Sequence, residues 1–248
     1  MSQIAIITVG SRGIGAATAR LAAEAGYDVC INYANDAEAA RQVVVACKSN
    51  GGRAIAMQAD VADSADVARL FRECDEKLGP VSLLVNNARI IGQATTVADL
   101  TDDTLARTFA VNVYRSIYCA REAVRRMAQS TGGLGGVIVN VSSVAAQLGS
   151  PDEYVNYAAS KAAIETFTIG LAKEVSPDGI PVNALQAGTT NTEIHAAAGN
   201  HNRPAMVAAN EPLRRVAKPE DIAAGIMWLA SAPADYVTGA VLPVSGGL

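Results

Sequence analysis

Apolar residues along this chain fall into two rhythms. Short runs without polar alternation, such as IAIITV, SLLV and VIVNV, predict strands at Ile4–Val9, Val29–Asn32, Ala54–Gln58, Leu83–Asn86, Val137–Val141, Val182–Gln186 and Ala240–Val244. Between them lie longer Ala-rich segments of helical period at about 14–25, 36–50, 63–78, 102–127, 155–175 and 219–231. Strands that are apolar throughout are covered on both faces, which is the habit of parallel sheets. The β-α alternation says the same and predicts a doubly wound α/β sheet of about seven strands, with helices on both faces. Pro219-Glu220-Asp221 is a helix start, because proline loses nothing in the first turn and the carboxylates sit near the positive helix end. Thr131–Gly136 reads as a connecting loop. Residues 187–218 lack strong periodicity, and the stretch 189–215 within them is expected to form a lid over a site. The 248 residues are therefore read as one domain.

Composition narrows the class. Half the residues are hydrophobic and 18% are charged, which excludes disorder. Lys and Arg number 20 against 24 Asp and Glu, so the net charge of −4 argues against a nucleic-acid partner held by a basic face. Arg121, Arg125 and Arg126 read as a basic solvated face, with an acidic acyl carrier as the alternative partner. Cys30, Cys47, Cys74 and Cys119 form no CxxC pair, and with only His195 and His201 beside them no metal site and no disulfide framework is expected. The uncharged stretch Met127–Pro151 is full of Gly, Ser and Asn, so no membrane span is expected. The first residues lack the basic region of a signal peptide, and the expected location is the cytoplasm.

The first strand runs into Gly10-Ser11-Arg12-Gly13-Ile14-Gly15, which opens a helix. Glycines at such a turn let backbone N–H groups approach a pyrophosphate, and the helix N-terminus adds partial positive charge. The second strand ends Asn32-Tyr33-Ala34-Asn35 without an acid before Asp36, so no carboxylate is in place for a ribose diol. Arg12 could meet a 2′-phosphate, and the expected cofactor is NADP(H), with NAD(H) as the alternative.

Tyr157 and Lys161 lie four apart in YAASK, on one face of a helix. A phenol has an ordinary pKa of about 10, and a neighbouring ammonium favours its phenolate. Ser142-Ser143 follows the VIVNV strand at its C-terminal end, where open parallel sheets bind ligands.

These pieces together resemble the short-chain dehydrogenase/reductase family of single-domain type, over essentially the whole chain. The matching segments are Thr8–Gly15, Asp60-Val61, Asn86-Asn87-Ala88, Asn112, VNVSS at 139–143, YAASK at 157–161, VNA at 182–184 and VTGAVLPVSGG at 237–247. The resemblance implies a Rossmann-like fold and hydride transfer between nicotinamide C4 and a carbonyl or secondary alcohol. It implies Tyr157 as general acid/base, Lys161 lowering its pKa and binding the nicotinamide ribose, and Ser143 orienting the substrate oxygen. Asn112 would hold a relay water, Asp60 and Val61 would meet the adenine, and Asn87-Ala88 would pass under the adenosine ribose. Gly188 and Thr192 keep their places in the nicotinamide-side loop, and Tyr33 closes the ribose end. Tyr154 is read as pocket lining or packing. A homotetramer is implied, acting on a small carbonyl or alcohol substrate such as a sugar, polyol, ketone or oxoacyl group.

Three positions depart from the family pattern. Val9 stands where the turn has glycine, Arg89 ends the Asn-Asn-Ala segment in place of glycine, and Ala187 replaces a proline. The complete Asn112, Ser143, Tyr157, Lys161 set favours an active enzyme over a catalytically weakened nucleotide-binding or structural protein. A methyltransferase-like protein would share the glycine turn but gives no reason for YxxxK with Ser-Ser.

Overall fold

A computed structural model describes residues 3–87, 89–192 and 211–248. Seven strands, β1 (Ile4–Ile7), β2 (Asp28–Tyr33), β3 (Ala54–Gln58), β4 (Leu83–Asn86), β5 (Val137–Ser143), β6 (Val182–Ala187) and β7 (Val241–Val244), form one sheet in the order β3-β2-β1-β4-β5-β6-β7. Every neighbouring pair is parallel. The order reverses between β1 and β4, so the two strand ends diverge there and open a crevice at their C-terminal edge.

Helices α1 (Gly13–Glu24), α2 (Ala37–Lys48), α3 (Ser64–Lys77), α4 (Asp102–Phe109), α5 (Arg115–Met127), the short α6 (Ala145–Leu148), α7 (Val155–Val175) and α8 (Pro219–Leu229) connect the strands. One apolar core joins the sheet to α3, α5 and α7 through residues such as Leu70, Phe71, Met127 and Val175. The other joins it to α1, α2 and α8 through Ile14, Val43 and Ile226. Burial on both faces explains why the strands carry no polar alternation. The doubly wound, Rossmann-like fold read from the sequence is the observed one.

Three expectations are corrected and a fourth is refined. The first strand stops at Ile7, because Val9 has a φ of +50° and cannot continue a strand. The helix expected at 102–127 is broken by one π-helical turn, Ala110–Tyr114, which carries Asn112 fully buried. Ser142 and Ser143 belong to β5 instead of following it. The basic face of α5 is ion-paired: Glu122, almost wholly buried, meets Arg125 at 2.7 Å and Arg126 at 2.8 Å, and Arg126 also meets Asp75 at 2.6 Å. All four cysteines are buried and free. Ala88, His195, His201 and most of the expected lid lie outside the described residues.

Candidate active site

The glycine turn is built by a small polar frame. Asn32 Nδ2 donates to Ala59 O at 2.9 Å, and its Oδ1 accepts from Val9 N at 3.3 Å. Asn87 Nδ2 donates to the carbonyls of Thr8 and Val9, and Thr8 Oγ1 accepts from Asn87 N at 3.0 Å. Gly10 N donates to Asn32 O at 2.9 Å. A Cβ on Gly15 would stand 2.3 Å from Val9 O and 2.6 Å from Asn87 Nδ2, so this frame admits only glycine there. Val9 is held in the left-handed region, which costs a β-branched residue about 1–3 kcal/mol. Val9→Gly is expected to raise the melting temperature by about 3–6 °C in calorimetry. An unchanged or lower value would show that the turn relaxes around the valine.

The start of α1 fits a phosphate group. Its N-cap, Arg12, makes no side-chain cap bond, and its first turn carries no acid, unlike α2, α3 and α4. The first N–H groups of α1 therefore remain for an anion. Ser11, Arg12, Gly13 and Ile14 line a cleft of about 1090 Å³, together with Asn87, Arg89 to Ala94, Thr108, Asn191 and Thr192. Gly13, at φ +51°, faces the Thr192 methyl, and the buried Thr192 hydroxyl has no partner among the described residues. An orphaned hydroxyl beside an open helix start is what a dinucleotide would complete. The glycine, Thr192 and Asn87 positions carried over from the family thus come together at one cleft. Gly188 lies at the end of β6 and donates its N–H to Val244 O at 3.0 Å. Tyr33 is partly buried at the end of β2, and Asp60 lies exposed with its Oδ1 accepting from Ala62 N at 3.0 Å. Val61 is buried in the core on the α3 side.

The second group stands where β5 and α7 meet. Tyr157 and Lys161 share one face of α7, with the Lys161 Nζ 5.8 Å from the centroid of the tyrosine ring. Ser143, at the end of β5, lies near enough to Tyr157 to favour its phenolate, and its Oγ accepts from Ala145 N at 3.2 Å. Ser142 points the other way and donates to Glu165 Oε1 at 2.6 Å, which separates the two serines by geometry. Asn112 lies nearby, but its carboxamide is taken up. It accepts from Ile90 N and donates to Ile90 O, both at 2.9 Å, and donates to Ser160 Oγ at 3.0 Å. Its side chain therefore clamps the segment after β4. Tyr154 packs with Tyr157, Ala145 and Ala158 under Ile91, on the packing side of the alternatives read from the sequence.

The electrostatics differ from the expected pattern. Burial pushes the Tyr157 phenol above its ordinary value, and the nearby Arg89 guanidinium and Ser143 only partly oppose it. Lys161 is itself brought down to about 7, first by burial and then by Arg89 and Arg115, with Glu165 opposing. The lysine instead donates to Val141 O at 2.8 Å. Arg115 was missed in the sequence. It is buried, its Nε and Nη2 have no partner among the described residues, and burial brings its pKa down to about 10. Its spacing of three from Asn112 was the available signal, since that places both on neighbouring turns of one helix.

The family described as enoyl-(acyl carrier protein) reductase matches residues 9–248. The uncharacterized oxidoreductase YgfF of Escherichia coli is 47% identical over 244 residues, covering 98% of this chain and 99% of that protein. A 3-oxoacyl-acyl-carrier-protein reductase of Synechocystis is 36% identical over 248 residues, covering 100% and 97%. Among solved structures, a short-chain dehydrogenase from Burkholderia cenocepacia in complex with NADP is 36% identical, with a TM-score of 0.89 and coverage of 99% and 97%. A short-chain dehydrogenase/reductase from Serratia marcescens gives a TM-score of 0.91 at 33% identity, with the same coverage. The chain belongs to the short-chain dehydrogenase/reductase family of oxidoreductases.

Proposed function

We propose that this chain is an NADP(H)-dependent oxidoreductase that interconverts a carbonyl and a secondary alcohol, with Tyr157 as general acid/base. The observation that carries this reading is the convergence of Ser143 at the end of β5 with Tyr157 and Lys161 on one face of α7, the Lys161 Nζ 5.8 Å from the tyrosine ring centroid, at the sheet edge next to the cleft. Both hydroxyls can address one substrate oxygen, where negative charge develops as the carbonyl is reduced. Tyr157 gives its proton to that oxygen during reduction and takes it back during oxidation. Lys161 sits within reach to recharge the phenolate, and its lowered pKa lets it exchange a proton near neutral pH. Asn112 positions the Ile90 backbone that borders the cleft.

The start of α1, Ser11 to Gly15, would hold the cofactor pyrophosphate, with Thr192, Gly188 and Asn87 completing the cradle. When bound, the dinucleotide supplies or accepts the hydride. Preference for the 2′-phosphate is supported by two side chains. Asp36, the first acid after β2, is spent as the N-cap of α2, accepting from Ala39 N at 2.9 Å. Arg12 is exposed on the cleft wall. The NADP held by the Burkholderia relative supports the same reading.

The chain is taken to act as one catalytic domain in the cytoplasm; among the described residues no helix is long and apolar enough to cross a membrane. Assembly as a homotetramer is supported by exposed apolar side chains on the helices and near the C-terminus, among them Ile117, Ile169, Trp228 and the fully exposed Tyr236. The test is NADPH consumption with a panel of carbonyl compounds, with Tyr157→Phe as its control.

A further inference from the structure

The catalytic centre carries more positive charge than its proton chemistry needs. Arg89 and Arg115 are each close enough to Lys161 to oppose its charging. One carboxylate, Glu165, stands near the lysine, and it already accepts from Ser142 and from Gln186 Nε2 at 2.8 Å. Arg115 is packed in the interior, with Asp60 as its neighbouring acid. Arg89 is different, because it is only partly buried and lies on the wall of the cleft, near enough to Tyr157 to favour its phenolate. Among the described residues no carboxylate pairs with it, and the charge it senses is that of the Tyr157 phenol. A desolvated guanidinium without an anion is costly, and its planar fork matches a carboxylate.

We infer that Arg89 binds the carboxylate of the substrate, so that the preferred substrates are oxo acids and the matching hydroxy acids. The Gly13 end of the cleft has its own phosphate-binding elements in α1, whereas Arg89 neighbours the groups that address the reacting oxygen. A carboxylate held by Arg89 would place a carbonyl a carbon or two away against Ser143 and Tyr157. The inference rests on the oxidoreductase reading above and names the substrate class for that same site.

The experiment compares wild type, Arg89→Gln and Arg89→Lys. Acetoacetate and its neutral methyl ester serve as substrates, and calorimetry follows malonate and NADPH as ligands. Expected in Arg89→Gln is a loss of kcat/KM on the order of 100-fold for acetoacetate, with the ester changed less than about 3-fold. Malonate binding should fall comparably, NADPH affinity should stay, and Arg89→Lys should recover part of the acid's rate because it keeps charge but not the fork. Removing a partly buried charge that no described carboxylate pairs should leave Arg89→Gln folded, as melting temperature will show. Equal losses for acid and ester together with weakened NADPH would overturn the inference, making the cofactor phosphate the anion Arg89 holds. Equal malonate binding in wild type and Arg89→Gln would overturn it as well. Malonate bound through Arg89 without NADPH turnover of either compound would instead defeat the oxidoreductase reading and leave the anion site standing.

Discussion

Tyr157→Phe is expected to lower turnover by about 10²–10⁴-fold, the range that a positioned proton donor contributes. The phenyl ring keeps the packing with Tyr154, Ala145 and Ala158, so the fold and the melting temperature should hardly change. Only the hydroxyl goes. Cofactor affinity should also persist, because the elements proposed to hold the phosphates lie at α1, some way along the cleft. A variant that retains more than about a tenth of wild-type turnover would remove Tyr157 from the acid/base role. Loss of cofactor binding in the same variant would instead point to a structural part for the hydroxyl. Ser143→Ala makes a useful companion, since it removes one of two donors to the same oxygen and leaves the phenol.

The second large effect concerns stability. An ordinary lysine in the unfolded chain titrates near 10.5, while buried Lys161 titrates at about 7. Below pH 7 the folded protein therefore carries a buried ammonium at full cost. Between about 7 and 10.5 the unfolded state binds the extra proton, so stability rises with pH across that window. One pKa unit corresponds to about 1.4 kcal/mol, which puts the cost at about 3–5 kcal/mol at pH 7 and below. Lys161→Met removes the charge but strands the Val141 carbonyl of its 2.8 Å donor, a loss of about 1 kcal/mol. The cofactor-free variant should thus melt about 5–10 °C above wild type at pH 6.5, and the gap should close towards pH 9.5. A gap that stays constant or widens with rising pH would mean that Lys161 keeps its proton through solvent or an anion in the folded protein. Turnover of the variant should be lost at every pH.

Much of the fold was legible because a parallel sheet buried on both faces imposes a simple rule. Val139 and Val141 face α1 and α8, while Ile138 faces α5 and α7, so no position in the VIVNV strand tolerates a charge. The glycine turn and YxxxK were legible for the same local reason, since short spacings fix which atoms can meet. What escaped depends on tertiary contacts. The π-helical turn at Ala110–Tyr114 interrupts a segment whose apolar period carries straight on, and the cause of its importance, the clamp of Asn112 on Ile90, joins residues 22 apart. The strain at Val9 could be foreseen only on condition that the turn needed a positive φ, which the backbone supplies. The altered proton balance at Tyr157 was hidden because Arg89 and Arg115 reach Lys161 from other elements. Family spacing places Lys161 beside the phenol, but it cannot report how dry the two groups are.

The central claim is that the α1 cleft takes a nicotinamide dinucleotide and prefers the phosphorylated one. Calorimetric titration of the wild-type protein with NADPH and NADH tests this most directly. Sub-millimolar binding of NADPH, at least about 10-fold tighter than NADH, is the expected result. Binding of neither dinucleotide would contradict the claim and leave the chain a member of its family without the family's cofactor.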